Sequence, residues 1–124
     1  MNHQGKVWRP PTDVYETNGT IVVRVEIAGM NRGDFNIELV RRKLVVSGRR
    51  EDHSGGTKRA YQQMEVLYGE FRTEVYLPCA VDSAKVEATY EDGFLVIVLP
   101  KAGRLRVPIH DVSNCPGSRR QPEA

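Results

Sequence analysis

Cysteine is scarce in this chain: only Cys79 and Cys115 occur among 124 residues, one after Leu77-Pro78 and one in a polar stretch. A small secreted disulfide scaffold needs more cysteines at closer spacing, so both are read as reduced thiols. Histidine is as sparse, and His3, His53 and His110 stand at no zinc-ligand spacing from either cysteine. A phosphate loop is missing too, because Gly55-Gly56 lies in a polar stretch that does not lead into a helix. The acid pairs Glu51-Asp52 and Glu91-Asp92 fall in loop and turn contexts. These gaps argue against an enzyme, and no catalytic residue, cofactor or metal is expected.

Long apolar runs are lacking as well. None approaches the ~18 residues of a membrane helix, and residues 1–11 hold no stretch of secretory length. No membrane span is expected, and the cytoplasm is the expected location. Charge of one sign is not in excess, with 18 basic and 16 acidic side chains giving +2. That balance points to no nucleic-acid partner. Arg41-Arg42-Lys43 and Arg49-Arg50 read as charge around a tight turn that keeps the surface wet. The distribution is uneven, however. Residues 1–100 carry 13 basic and 14 acidic groups, and from Lys101 onward there are 5 basic and 2 acidic. A nearly neutral body ends in a basic tail.

What is present is a period of two. Ile21, Val23, Val25 and Ile27 share one face with Arg24 and Glu26 on the other, and Phe35, Ile37 and Leu39 alternate with Asn36 and Glu38. Leu44-Val45-Val46 is a short run ended by Ser47-Gly48. Phe71, Thr73, Val75 and Leu77 alternate with charged or polar neighbours until Pro78 stops the strand. Val86, Ala88 and Tyr90 alternate with Glu87, Thr89 and Glu91, and residues 94–99 are apolar throughout. Turn signals separate these runs, including Thr17-Asn18-Gly19 and Glu91-Asp92-Gly93. No ten-residue segment carries a helical stripe. The expected fold is all-β, an immunoglobulin-like two-sheet sandwich. At 124 residues there is room for one domain.

Three segments invite a partner. In residues 94–99, Leu95, Ile97 and Leu99 form one face and Phe94, Val96 and Val98 the other. Either that second face is covered, as in a central strand, or it is exposed as a surface for apolar partners. Residues 49–60 are polar and too long for a hairpin turn. In the tail, Val107-Pro108-Ile109 is an apolar island whose proline favours an extended backbone. Its branched side chains then project to one side and suit a groove along a strand edge.

Several motifs in series resemble the small heat shock proteins of bacterial type, with their α-crystallin domain. They are Trp8-x-Pro10, Asp13-Val14-Tyr15-Glu16, Ile27-Ala28-Gly29, Leu44-Val45-Val46-Ser47-Gly48, Gly69-x-Phe71 and Leu77-Pro78. The most specific is Ala88-Thr89-Tyr90-Glu91-Asp92-Gly93-Phe94-Leu95, followed by Leu99-Pro100-Lys101, and Val107-Pro108-Ile109 resembles the family's Ile-x-Ile/Val tail motif. The resemblance implies a short N-terminal arm over 1–11, an α-crystallin domain over 12–101 and a C-terminal extension over 102–124. It also implies an ATP-independent holdase that limits aggregation of partly unfolded client proteins under stress. The alternative of the same fold is a co-chaperone-like domain acting on a folded chaperone.

The resemblance further implies a homodimer, with room for a larger homo-oligomer. The loop over 49–67 would build the dimer, with Tyr61, Met64, Val66 and Leu67 supplying contacts. Val107, Pro108 and Ile109 would dock in a neighbour's groove between the strand of Phe35, Ile37 and Leu39 and that of Val86, Ala88 and Tyr90. Phe94, Val96 and Val98 would offer a client surface. The family's dimer-contact arginine falls on Thr73 here, and Arg72 is its neighbour. A shift of one residue turns a side chain to the other face of a regular strand.

Overall fold

A computed structural model of the protein describes residues 6–53 and 58–103. Seven strands form two antiparallel sheets, the expected sandwich. They are β1 (Thr12–Glu16), β2 (Thr20–Glu26), β3 (Phe35–Val40), β4 (Lys43–Arg50), β5 (Gly69–Tyr76), β6 (Glu87–Glu91) and β7 (Phe94–Pro100). One sheet has the order β1-β2-β7-β6 and the other β3-β4-β5. No helix among the described residues is long and apolar enough to cross a membrane.

The core is the set of inward-facing positions from both sheets. Ile21, Val23 and Val25 of β2 and Leu95, Ile97 and Leu99 of β7 pack against Leu44 and Val46 of β4 and Phe71 and Val75 of β5. Burial of each such aliphatic side chain is worth about 1.5–3 kcal/mol, and this is what fixes the register of each pairing. Val23 lies opposite Ile97, and Val46 opposite Thr73. Thr73 is the polar exception at 1% exposure, and its hydroxyl lies 2.9 Å from that of Thr12 on β1.

Tight turns join two of the hairpins. Asp92 and Gly93 both have positive φ, 54° and 82°, a mirror-image turn that glycine enters without steric cost. Between β3 and β4, Arg41 adopts φ 58°. This turn is tied to the β5 end: the Arg42 Nη2 donates to the Pro78 carbonyl at 2.9 Å, and the Leu77 amide donates to the Arg42 carbonyl at 2.7 Å.

Three expectations need correction. β4 does not stop at Ser47-Gly48 but runs to Arg50, with Arg49 opposite Glu70 and Arg50 opposite Gly69, so the long connection begins at Glu51 rather than Arg49. Gly48 sits inside the strand because a side chain would not fit; a Cβ there would lie 2.7 Å from both the Phe71 ring and the Asp34 carbonyl oxygen. β1 is a strand that alternation alone did not reveal. Cys79 is disulfide-bonded rather than reduced, and the chain's other cysteine, Cys115, lies outside the described residues.

Candidate functional site

The first site lies between the two sheets where both have an unpaired edge. β3 is one of the two outer strands of the three-stranded sheet, and β6 is one of the two of the four-stranded sheet. The inward phase of β3 carries Phe35, Ile37 and Leu39, all half-buried, while Asn36, Glu38 and Val40 are exposed. On β6, Ala88 and Tyr90 pair with the inward-facing Ile97 and Leu95 of β7 and so share their side of the sheet. Phe35, Ile37, Leu39, Val86 and Tyr90 pack against the core without being covered, and Ala88 is exposed. Of the six residues expected at a docking groove, Phe35 and Tyr90 meet across the cleft between the two edge strands, Ile37, Leu39 and Val86 are half-buried against the core, and Ala88 is exposed.

Tyr90 closes one end of that cleft. Its ring centroid is 5.1 Å from that of Phe35, across the gap between the sheets. Its hydroxyl donates to the Ile27 carbonyl at 2.7 Å and accepts from the Met30 amide at 3.3 Å. An aromatic residue with a satisfied polar tip can sit at such a boundary at little cost. Val107, Pro108 and Ile109, the expected occupants, lie outside the described residues.

The second site is the long connection between β4 and β5. Tyr61, Met64, Val66 and Leu67 are each between 50% and 58% exposed. Four large apolar side chains in one segment exceed the scattering expected of a solvated loop. The base of the segment is held by Arg50. Its Nε donates to the Leu67 carbonyl at 3.0 Å and its Nη1 to the Ala28 carbonyl at 3.1 Å, and Nη2 also reaches Leu67. The guanidinium lies 4.7 Å from the Trp8 ring centroid and 5.4 Å from that of Tyr68. A crevice of about 490 Å³ opens beside it, lined by the Ala28-Gly29 turn, His53, Val66 and Tyr68.

Arg50 is thus not the wetting charge expected from the Arg-Arg pair. Only a planar cation with several donors can hold two carbonyls and two rings together. The arginine-aromatic combination Trp8, Arg50 and Tyr68 is spread over 60 residues, and no local pattern announces it.

Arg72 points to the outer face of the three-stranded sheet, opposite in phase to the buried Thr73. Its Nε and Nη2 both bind Glu74 Oε2, at 2.8 and 2.7 Å. Lys43 Nζ lies 3.6 Å from Glu74 Oε1. The hydrogen bond from Arg72 holds the Glu74 carboxyl below its ordinary value; partial desolvation opposes this, and the charge of Lys43 adds to it.

On β7, Leu95, Ile97 and Leu99 are buried, Val96 and Val98 are half-buried, and Phe94 is 40% exposed. No described element covers that second face. No cluster of three or more His, Cys, Asp or Glu among the described residues could hold a metal ion.

A two-sheet antiparallel sandwich is the fold the sequence motifs call for. Residues 13–109 match the model of the Hsp20/alpha crystallin family. The chain belongs to that family. It is 32% identical over 92 residues to small heat shock protein C2 of Rickettsia felis, an alignment covering 74% of this chain and 60% of the relative. Heat shock protein 16.0 from Schizosaccharomyces pombe has the same fold, with a TM-score of 0.71 and 25% identity over 84% of this chain and 96% of that one. The A102D mutant of hsp14.1 from Sulfolobus solfataricus is 31% identical with a TM-score of 0.62, covering 82% of this chain and 78% of that one. The chain spans 60% and 61% of the length of the Rickettsia felis small heat shock proteins C2 and C4.

Proposed function

We propose that this protein is an ATP-independent holdase that binds partly unfolded proteins in the cytoplasm and limits their aggregation. The observation that carries the reading is the pair of uncovered apolar surfaces, the cleft between β3 and β6 and the 61–67 segment, on a sandwich of the Hsp20/alpha crystallin family. A denaturing client exposes apolar side chains and unpaired strands, and covering both requires binding alone, with no chemical step.

Assembly completes the surfaces. In this reading the 51–68 connection, with Tyr61, Met64, Val66 and Leu67, reaches a second copy and builds a homodimer. The Val107-Pro108-Ile109 motif of one subunit occupies the cleft of another and extends the assembly. Arg72 supplies a dimer contact only by exchanging its own Glu74 for a carboxylate of the partner. Phe94, Val96 and Val98 receive client segments.

Turbidity tests the core of the proposal. A labile enzyme heated with an equimolar amount of this protein should scatter much less light than the enzyme alone, equally with and without ATP. Unchanged turbidity at every ratio, or suppression that requires ATP, would rule it out.

A further inference from the structure

The outer faces of the two sheets are built differently. In an antiparallel sandwich these faces ordinarily carry the polar half of the alternation. The three-stranded sheet largely obeys, with Asn36, Glu38, Lys43, Ser47, Arg72 and Glu74 outward and Val40, Val45 and Tyr76 as its apolar exceptions. The four-stranded sheet does not. Its register sets Tyr15 beside Val22 and Val22 beside Val98, a row crossing three strands, and β7 adds Val96 and Phe94 on the same side. Tyr15 is 46% and Phe94 40% exposed, and Val22 is buried among its neighbours at 7%.

The charged residues around this row are almost all acidic, and the other polar ones are Thr20 and Thr89. Asp13, Glu26, Glu87 and Glu91 share the face, and Arg24 is the single base on it. Arg24 is already engaged, 3.4 Å from Asp13 and with its guanidinium 5.7 Å from the Phe94 ring centroid. Glu26, Glu87 and Glu91 make no ion pair among the described residues. An apolar strip edged by unneutralised carboxylates attracts apolar segments that carry cations and repels those that carry anions.

We infer that the outer face of β1-β2-β7-β6 is a client-binding surface selective for non-native segments in which Lys or Arg flank apolar residues. The inference rests on the holdase reading and adds the class of client. Apolar side chains of the segment lie over Tyr15, Phe94, Val96 and Val98, and its basic side chains reach Glu87 and Glu91 on one flank and Glu26 on the other. Because the carboxylates are exposed, the preference is screened by salt.

The test uses the full chain and two fluorescein-labelled peptides of one length, alternating Val with Lys or Val with Glu. The Lys peptide should bind at least about 10-fold more tightly at low salt, and the preference should largely vanish in 1 M NaCl, where the Debye length is about 3 Å. Glu87→Lys/Glu91→Lys should weaken the Lys peptide about 5- to 30-fold, given the modest strength of exposed pairs. Val96→Gln/Val98→Gln should weaken both peptides. Equal binding of the two peptides, or an unchanged preference in the charge-reversed variant, overturns the inference. So does a 10-fold gain in Lys-peptide affinity on removing residues 104–124, which would assign the face to the chain's own basic tail. Turbidity run on the same samples separates the two claims. Suppression without peptide discrimination sinks only the client class, whereas no suppression of any client sinks the holdase reading.

Discussion

The guanidinium of Arg50 stacks on the indole of Trp8, 4.7 Å from its centroid, while its donors hold the carbonyls of Leu67 and Ala28. One side chain thereby ties three segments that are distant in sequence to the end of β4. Lysine keeps the charge but has neither the fork nor the flat face. Arg50→Lys should cost about 1–2 kcal/mol in urea unfolding, from the lost hydrogen bonds and stacking. Trp8, the only tryptophan, reports on the site directly: its emission should shift to the red in the variant before any global unfolding.

Gly48 tests the close approach of β4 to Phe71. Gly48→Ala puts a methyl group 2.7 Å from the Phe71 ring and from the Asp34 carbonyl oxygen, both fixed by packing. Overpacking of this kind costs typically about 1–3 kcal/mol. A lowered thermal midpoint is the expected result, and Phe71→Leu in the same chain should recover part of it by making room.

Deletion of residues 53–63 removes Tyr61 and shortens the connection that we propose to build the dimer. Sedimentation equilibrium should find monomers across the micromolar range, while circular dichroism still shows the folded sandwich. A deletion variant that remains a dimer places the interface on another surface.

Groove and tail should behave as two halves of one contact. Val107→Ala/Ile109→Ala removes the proposed anchors, and Leu39→Glu places a charge in the cleft. Each should shift any assembly larger than a dimer toward dimers, as read by light scattering over a concentration series. Fully buried anchors contribute about 1.5–3 kcal/mol apiece, and ordering the tail offsets part of this, so the effect should grow on dilution. A wild type that is a dimer at every concentration, or equal large masses for all three proteins, would count against the contact.

The Glu74 carboxyl, held below its ordinary value of 4.5 mainly by Arg72, makes part of the stability depend on acid. Folding lowers its pKa, so its stabilising contribution is present above pH 4.5 and is lost as pH falls through the lower folded value. Wild type should therefore lose more stability than Glu74→Gln between pH 5 and the acid limit, and the two melting curves should converge there.

Alternation made most of the sandwich legible. β2, β3, β5 and β7 each carry three inward apolar or small residues at a period of two, and β6 carries two, Ala88 and Tyr90. β1 escaped because it is an edge strand with four of its five residues exposed, so no apolar face is written into Thr12–Glu16. The end of β4 was misread because Ser47-Gly48 resembles a turn, whereas the glycine answers to the ring of Phe71 directly opposite it on the neighbouring strand β5. Arg50 could not be read at all. Its role comes from Trp8, Ala28, Leu67 and Tyr68, which only the tertiary fold assembles. The tail motif was visible as a pattern, but it lies outside the described residues.

The pairing of β2 with β7 joins residues 20–26 to residues 94–100. A ribosome delivers the first of these strands long before the second. Until Pro100 has cleared the exit tunnel, Ile21, Val23 and Val25 have no permanent neighbour on that side, and β1 can offer only a two-stranded hairpin, which is marginal in water. The three-stranded sheet, made of successive neighbours, can form earlier in synthesis. A nascent copy of this chain therefore passes through an interval in which it presents the same kind of bare apolar strand that its finished form is proposed to bind.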